Sequence, residues 1–225
     1  IQRIGSREEH IPSDFYRPAG WHKFRGALDA DGKLTGLEDH FITFETNGQV
    51  PMFAAMPADM FPANYIDNLR YAQSTMETRI PMGALRAPQS NALAYVTQSF
   101  LDEVAQAQGR DLPALMLELF AGKPDQPGAR GFGGMSTPGF SPARATAVIQ
   151  KALEMSKWQA GSSQGRAKGF GFYFSHLGYF AEVVEASLGQ RGAVNVHNVW
   201  AAGDVGRDII NPFGGLNQVG GSINE

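Results

Sequence analysis

Glycine and proline together fill 40 of the 225 positions. Glycine leaves the backbone too free and proline removes a donor and fixes φ, so both interrupt helices and strands. A chain punctuated this often must assemble its core from short elements. It still has the means to do so: 43% of its residues are hydrophobic, far too many for a disordered segment. Its 18% charged residues fall below the roughly 25% of an average soluble domain, so part of its surface carries uncharged groups or meets other protein. At this length folding buries roughly 70% of the unfolded surface or more, enough for a core without metal or disulfide staples. The chain is therefore read as one domain spanning residues 1–225, and its five His residues need not be structural ligands.

Charge and cysteine content exclude several classes of chemistry. The net charge is −3, from 19 basic and 22 acidic residues, and no like-charged run appears, so there is no electrostatic footprint for nucleic acid or an anionic membrane. The absence of cysteine removes disulfides, iron–sulfur ligation and thiol nucleophiles from this chain, and leaves cytoplasm and periplasm equally open. The most apolar stretch, Leu112 to Ala121, is interrupted by Glu118 and is well short of the roughly 20 residues of a membrane span. Ile1 in place of an initiator Met, and a Gly-rich stretch near Glu225 that reads as the lead-in to a helix, are those of a piece excised from a longer protein.

Along the chain, Trp21–Leu28 and Lys33–Phe44 are apolar or aromatic runs separated by Asp29-Ala30-Asp31-Gly32, which predicts a β-hairpin. Asn47–Pro62, with three prolines and several Met and Phe residues, is expected to be a loop packed against a cleft or an interface. Leu93, Val96, Phe100, Leu101 and Val104 recur at three- and four-residue spacings between Ser90 and Gly109, predicting an amphipathic helix. Asp111, Pro113 and Gly122 frame a second, short helix. Lys123–Gly139 holds five glycines and three prolines with no periodicity, so it is expected to be a long flexible loop. Ser141-Pro142 starts a third helix over 142–160. Alternation around Phe170, Phe172 and Phe174 predicts one or two strands over 168–187, and Val194–Ala202 another. Strands in both halves with helices gathered between them give an α+β fold, a mixed sheet with helices packed on it.

The usual signatures of hydrolases and phosphotransferases are missing: no G-x-S-x-G, no H-E-x-x-H and no Walker A sequence occurs. Gly131-Phe132-Gly133-Gly134 neither follows a strand nor opens a helix, which argues against a dinucleotide site. Asp204 and Asp208 could act as paired carboxylates, but short acids at a strand end more often cap the next turn. His176 and His197, in alternating strand segments 21 residues apart, share no metal-binding spacing, and no metal ligands are assigned. Arg86 is more informative. Pro81-Met82-Gly83-Ala84-Leu85-Arg86-Ala87-Pro88 sets one cation in an apolar turn just before a capped helix, where it needs an anion or carbonyls.

That octapeptide, the helix ending Gln98-Ser99-Phe100-Leu101-Asp102-Glu103-Val104-Ala105, and Trp200-Ala201-Ala202-Gly203-Asp204-Val205-Gly206 through Asn211-Pro212 to Gln218-Val219-Gly220-Gly221 resemble the molybdopterin-binding subunit of the xanthine dehydrogenase and aldehyde oxidase family. The branch most similar is the isoquinoline 1-oxidoreductase beta subunit, which Phe15-Tyr16-Arg17-Pro18-Ala19-Gly20 and the following hairpin also resemble. The segments stand in the family's order from about residue 7 onward. The resemblance implies an α+β molybdenum-cofactor-binding fold and an oxidoreductase that hydroxylates a carbon beside a ring nitrogen or oxidises an aldehyde, with oxygen taken from water. It implies a molybdenum–molybdopterin cofactor, in its cytosine dinucleotide form, that serves the full-length enzyme and is absent from this fragment, which alone is expected to be inactive. It also implies an iron–sulfur subunit or domain as partner, carrying the electrons away, and an N-heterocycle or aldehyde as substrate. The alternative is a non-catalytic binding or assembly module for a redox partner.

Residue by residue, Arg86 matches the family's arginine beside the molybdenum pocket, where a fixed cation orients substrate or stabilises developing negative charge. Gln218 matches the glutamine of the Gln-x-x-Gly segment near the pterin, and Gly220 and Gly221 would let backbone approach the cofactor closely. Asn211 and Pro212 shape a turn, and Asp204 falls in an Asp-x-Gly motif where capping is its expected role. Arg207-Asp208-Ile209-Ile210 is one residue longer than the family pattern, and Gly220 stands where an acidic or amide side chain is usual. The family's glutamate base falls beyond Glu225, and Glu225 itself does not take that role.

Overall fold

The computed structural model describes residues 5–130, 136–163 and 165–224. Gly131-Phe132-Gly133-Gly134 lies outside the described residues. The fold is α+β, but the chain read as a single domain groups into two compact units, 1–97 and 98–225.

In the first unit a one-turn helix α1 (Arg7–His10) precedes β1 (Trp21–Leu28), β2 (Leu34–Glu45) and β3 (Asn68–Glu77). β1 and β2 form the expected antiparallel hairpin, in register from Trp21 opposite Ile42 to Ala27 opposite Gly36, with a shift that then sets Leu28 opposite Leu34. The turn closes because the Asp29 carboxylate accepts from the amides of Asp31 (3.0 Å) and Lys33 (2.8 Å), while Gly32 takes φ +79°. β3 was not expected: it pairs parallel to β2, Gly36 opposite Asn68 through Glu45 opposite Glu77. Only its first half alternates in burial, and Gln73 to Glu77 are exposed, so its sequence lacks the period-two signal that marks a half-buried strand. On β2, Leu37, Asp39, Phe41 and Thr43 share the buried face. The residues between β2 and β3 supply Ala54, Met60, Tyr65 and Ile66 to the same core, and Thr43 Oγ1 donates to the Ala54 carbonyl at 2.9 Å.

The boundary between the units falls inside α2 (Ser90–Ala107). Its buried positions are Leu93, Thr97, Leu101, Val104 and Ala105. The expected stripe holds, with Thr97 filling the turn between Leu93 and Leu101.

In the second unit α3 (Leu112–Phe120) has Asp111 as its N-cap, accepting from the Ala114 amide at 3.0 Å. The other Asp111 oxygen accepts from Trp158 Nε1 at 2.8 Å. Two short strands, β4 (Ala129–Arg130) and β5 (Ser136–Thr137), pair antiparallel within the stretch read as an unstructured loop. α4 (Pro142–Ser156) ends four residues before the expected stop, because Lys157 turns left-handed at φ +49°. Ser141 stands at its N-cap without capping it: the hydroxyl donates instead to Asp125 Oδ1 at 2.7 Å, and the amide donates to the Tyr179 hydroxyl at 2.7 Å. β6 (Ser162–Ser163), β7 (Arg166–Ser175), β8 (Gly178–Leu188) and β9 (Val194–Asp204) form an antiparallel sheet in sequential order. Phe172, Tyr179, Ala181, Val183 and Ala202 are buried on it, and α4 packs against β8 and β9 with Ala145, Val148, Ile149 and Ala152 buried. Phe140 is the hub of an aromatic cluster, with ring centroids 5.1–5.4 Å from Phe120, Phe174 and Tyr179. The chain finishes in α5 (Pro212–Asn224). Among the described residues no helix is long and apolar enough to cross a membrane.

Candidate functional site

Arg86 belongs to the first unit, in the irregular run leading into α2, and its side chain is exposed. Backbone holds the run in place. The Tyr16 amide donates to the Pro81 carbonyl at 2.9 Å and the Gly83 amide to the Tyr16 carbonyl at 3.0 Å. Gly83 is required there, since a Cβ would stand 2.5 Å from Phe15 Cβ. Arg17 Nη1 donates to the carbonyl of Ala87, itself left-handed at φ +53°. The apolar neighbours of Arg86 in sequence therefore do not desolvate it, and its guanidinium is a surface cation on a backbone-braced turn.

The remaining candidates belong to the second unit. Asn211 caps α5, its Oδ1 accepting from the Gly214 amide at 2.9 Å, and Pro212 is the first helical residue. Gln218, Gly220 and Gly221 lie within this helix rather than in a loop ahead of one. Gln218 and Gly221 are exposed and Gly220 is half-buried. A Cβ built on either glycine would meet nothing within 4 Å. Glycines that admit a pterin between close walls would leave a Cβ no such room, so the described residues around Gln218 form no cofactor cradle.

Asp204 does more than cap. It accepts from the Gly206 amide at 2.9 Å, and both its oxygens accept from Arg144, Oδ2 from Nε and Oδ1 from Nη2, each at 2.7 Å. The Arg144 guanidinium lies 4.4 Å from the centre of the buried Tyr179 ring. The hydrogen bonds from Arg144 pull the Asp204 carboxyl down from 3.8 to about 2. Asp208 is exposed. His176, expected in a strand, instead forms with Leu177 the two-residue turn between β7 and β8, at φ +52° and +67°. It bonds Ser175 through Nδ1, while His197 on β9 bonds Ser187 through Nε2, each at 2.7 Å. Among the described residues no three acidic or His side chains gather to hold a metal.

One constellation escaped the sequence reading. In the first unit His22 of β1 and Asp39 of β2 lie diagonally on one face, His22 Nδ1 donating to Asp39 Oδ2 at 2.8 Å, with side chains 7% and 0% exposed. The imidazole stacks on Phe41 (4.2 Å between centroids, 12° between planes) and on Phe24 (5.6 Å, 12°). Asp39 Oδ1 is buried with no hydrogen-bond partner among the described residues. His22 lines a shallow, solvent-open cleft. The available signal was a polar residue at each of two positions that strand alternation turns inward, in His22-x-Phe24 and Asp39-x-Phe41-x-Thr43.

No protein-family model matches the sequence, and no curated protein matches it. Among solved structures the chain is similar to the dithionite- and sulfide-activated aldehyde oxidoreductase of Desulfovibrio gigas, at 20% identity and a TM-score of 0.36, over 78% of this chain and 20% of that one. It is also similar to the aldehyde oxidoreductase of Desulfovibrio desulfuricans, at 17% identity and a TM-score of 0.39, over 81% of this chain and 21% of that one. The chain spans about a fifth of the length of each.

Proposed function

We propose that this chain is part of a molybdenum hydroxylase, an oxidoreductase of N-heterocycles or aldehydes that takes oxygen from water and passes electrons to iron–sulfur clusters in another subunit or domain. The observation that carries this reading is the ordered set of segments Pro81–Pro88, Gln98–Ala105 and Trp200–Gly221, which resemble the molybdopterin-binding subunit of the isoquinoline 1-oxidoreductase type. Molybdopterin cytosine dinucleotide, when bound, would supply the two-electron oxidation. Arg86 is assigned to the substrate side. Held on a braced turn, its guanidinium can meet a polar substrate or negative charge that develops on it without reorganising the backbone. Gln218, Gly220 and Gly221, all within α5, are assigned to the cofactor side.

The test is activity per bound molybdenum in the enzyme containing this chain, purified with its iron–sulfur partner. Arg86→Ala should retain folding and cofactor content but lower turnover on the order of a hundredfold, the loss expected for one preorganised charge. Unchanged turnover per metal, together with a lower melting temperature, would give Arg86 a structural role instead. A second reading, an assembly module for a redox partner, is favoured by one feature: Ile210, Phe213 and Leu216 at the start of α5 are 99%, 81% and 69% exposed. Under that reading Phe213→Asp abolishes association with the iron–sulfur partner, and the purified complex contains no molybdenum.

A further inference from the structure

The cleft beside His22 is built to hold something. Its walls are mostly apolar, with Phe41, Phe53, Leu93 and Val96 among them, and it carries three polar side chains, Arg17, His22 and Gln89. Among the described residues that line it none is acidic, and Arg17 is the cation on its wall.

The polar groups are fixed in advance. Gln89 Nε2 donates to the carbonyl of Ala55 at 3.0 Å and to that of Met52, which ties the wall of residues 52–55 to the start of α2. Gly20 lets the strand approach closely, since a Cβ there would overlap the Phe41 ring and stand 2.7 Å from the Ile42 carbonyl oxygen. Arg17 spends one N–H on Ala87 and has five in all. His22 commits Nδ1 to Asp39, which leaves Nε2 as the nitrogen available to the cleft the ring lines.

We propose that this cleft binds a small apolar carboxylate, its hydrocarbon against Phe41, Leu93 and Val96 and its carboxylate received by the Arg17 guanidinium. The site does not depend on the oxidoreductase reading, since neither Arg86 nor α5 takes part in it.

Calorimetric titration of the 225-residue chain with benzoate as probe tests the assignment, with benzamide as its neutral isostere. Saturable one-to-one binding of benzoate is expected, with benzamide weaker by about tenfold or more, the usual gap between charge-assisted and neutral hydrogen bonding. Arg17→Met should weaken benzoate by a similar factor. Ala92→Leu, which narrows the cleft from an exposed helix position without touching a charge, should abolish binding at an unchanged melting temperature. Equal affinity for benzamide, no saturable benzoate binding, or full affinity in either variant would overturn the proposal.

Discussion

At the scale of single residues, Asp204 shows how a short sequence motif and a distant partner divide one side chain between them. The Asp-x-Gly spacing reveals the bond to the Gly206 amide, because that contact is local. It cannot reveal Arg144, sixty positions earlier, which the first turn of α4 brings over the Tyr179 ring. The bidentate pair makes the carboxylate the favoured form in the folded state, with the carboxyl lowered from 3.8 to about 2. A group depressed by folding contributes stability above its ordinary value and loses it as pH falls through the lowered one. Asp204→Asn keeps an acceptor for the Gly206 amide but removes the charge and one of the two oxygens that accept from Arg144. It should cost about 1 kcal/mol at neutral pH after screening at this one-third-exposed site. It should also abolish the part of the acid destabilisation that falls between pH 3.8 and about 2. Urea melts of both proteins across that window measure the difference, and parallel curves would show the pair to be energetically idle.

At the scale of elements, what the sequence revealed follows the range of the forces involved. The Asp29–Gly32 turn, the Asp111 cap and the Leu93–Val104 stripe all depend on residues within a turn or two of each other, and all are present. β3 was hidden because a parallel neighbour needs no adjacent turn. α4 stopped early because Lys157 takes a left-handed conformation that no glycine announced. α5 is the instructive case. Gly214, Gly215, Gly220 and Gly221 all fall inside it, each costing about 0.5–1 kcal/mol relative to Ala in a helix interior, so its sequence reads as a loop even though its backbone is helical. Gly221→Ala separates two explanations for these glycines. With open space where the Cβ would go, the substitution should stabilise the chain by about 0.4–1 kcal/mol through a less flexible unfolded state. In the cofactor-loaded enzyme the same alanine should lower molybdenum content only if another part of the protein closes over α5. Stability from chemical melts of this chain and metal content of the holoenzyme give the two answers independently.

At the scale of the whole chain, composition indicated a sizeable core, yet the residues arrange two of them. One gathers on β2, the other on Phe172, Tyr179 and the α3–α4 pair. No periodicity marks the division because it falls inside α2, whose buried stripe continues from Leu93 through Thr97 to Ala105. The residues assigned to the proposed chemistry divide likewise, Arg86 to the first unit and Gln218, Gly220 and Gly221 to the second. The cofactor assignment therefore rests on α5 alone, where among the described residues a Cβ built on Gly220 or Gly221 meets nothing within 4 Å. A pterin held on one open face would keep most of its surface in water and gain little from burial. The purified 225-residue chain is thus expected to carry no stoichiometric molybdenum and to show no absorption from a bound pterin, even when produced in a host that makes the cofactor. Metal analysis by mass spectrometry checks this directly. One molybdenum per chain would mean that these residues close a pocket around the cofactor by themselves, and would overturn the conclusion that α5 forms no cradle.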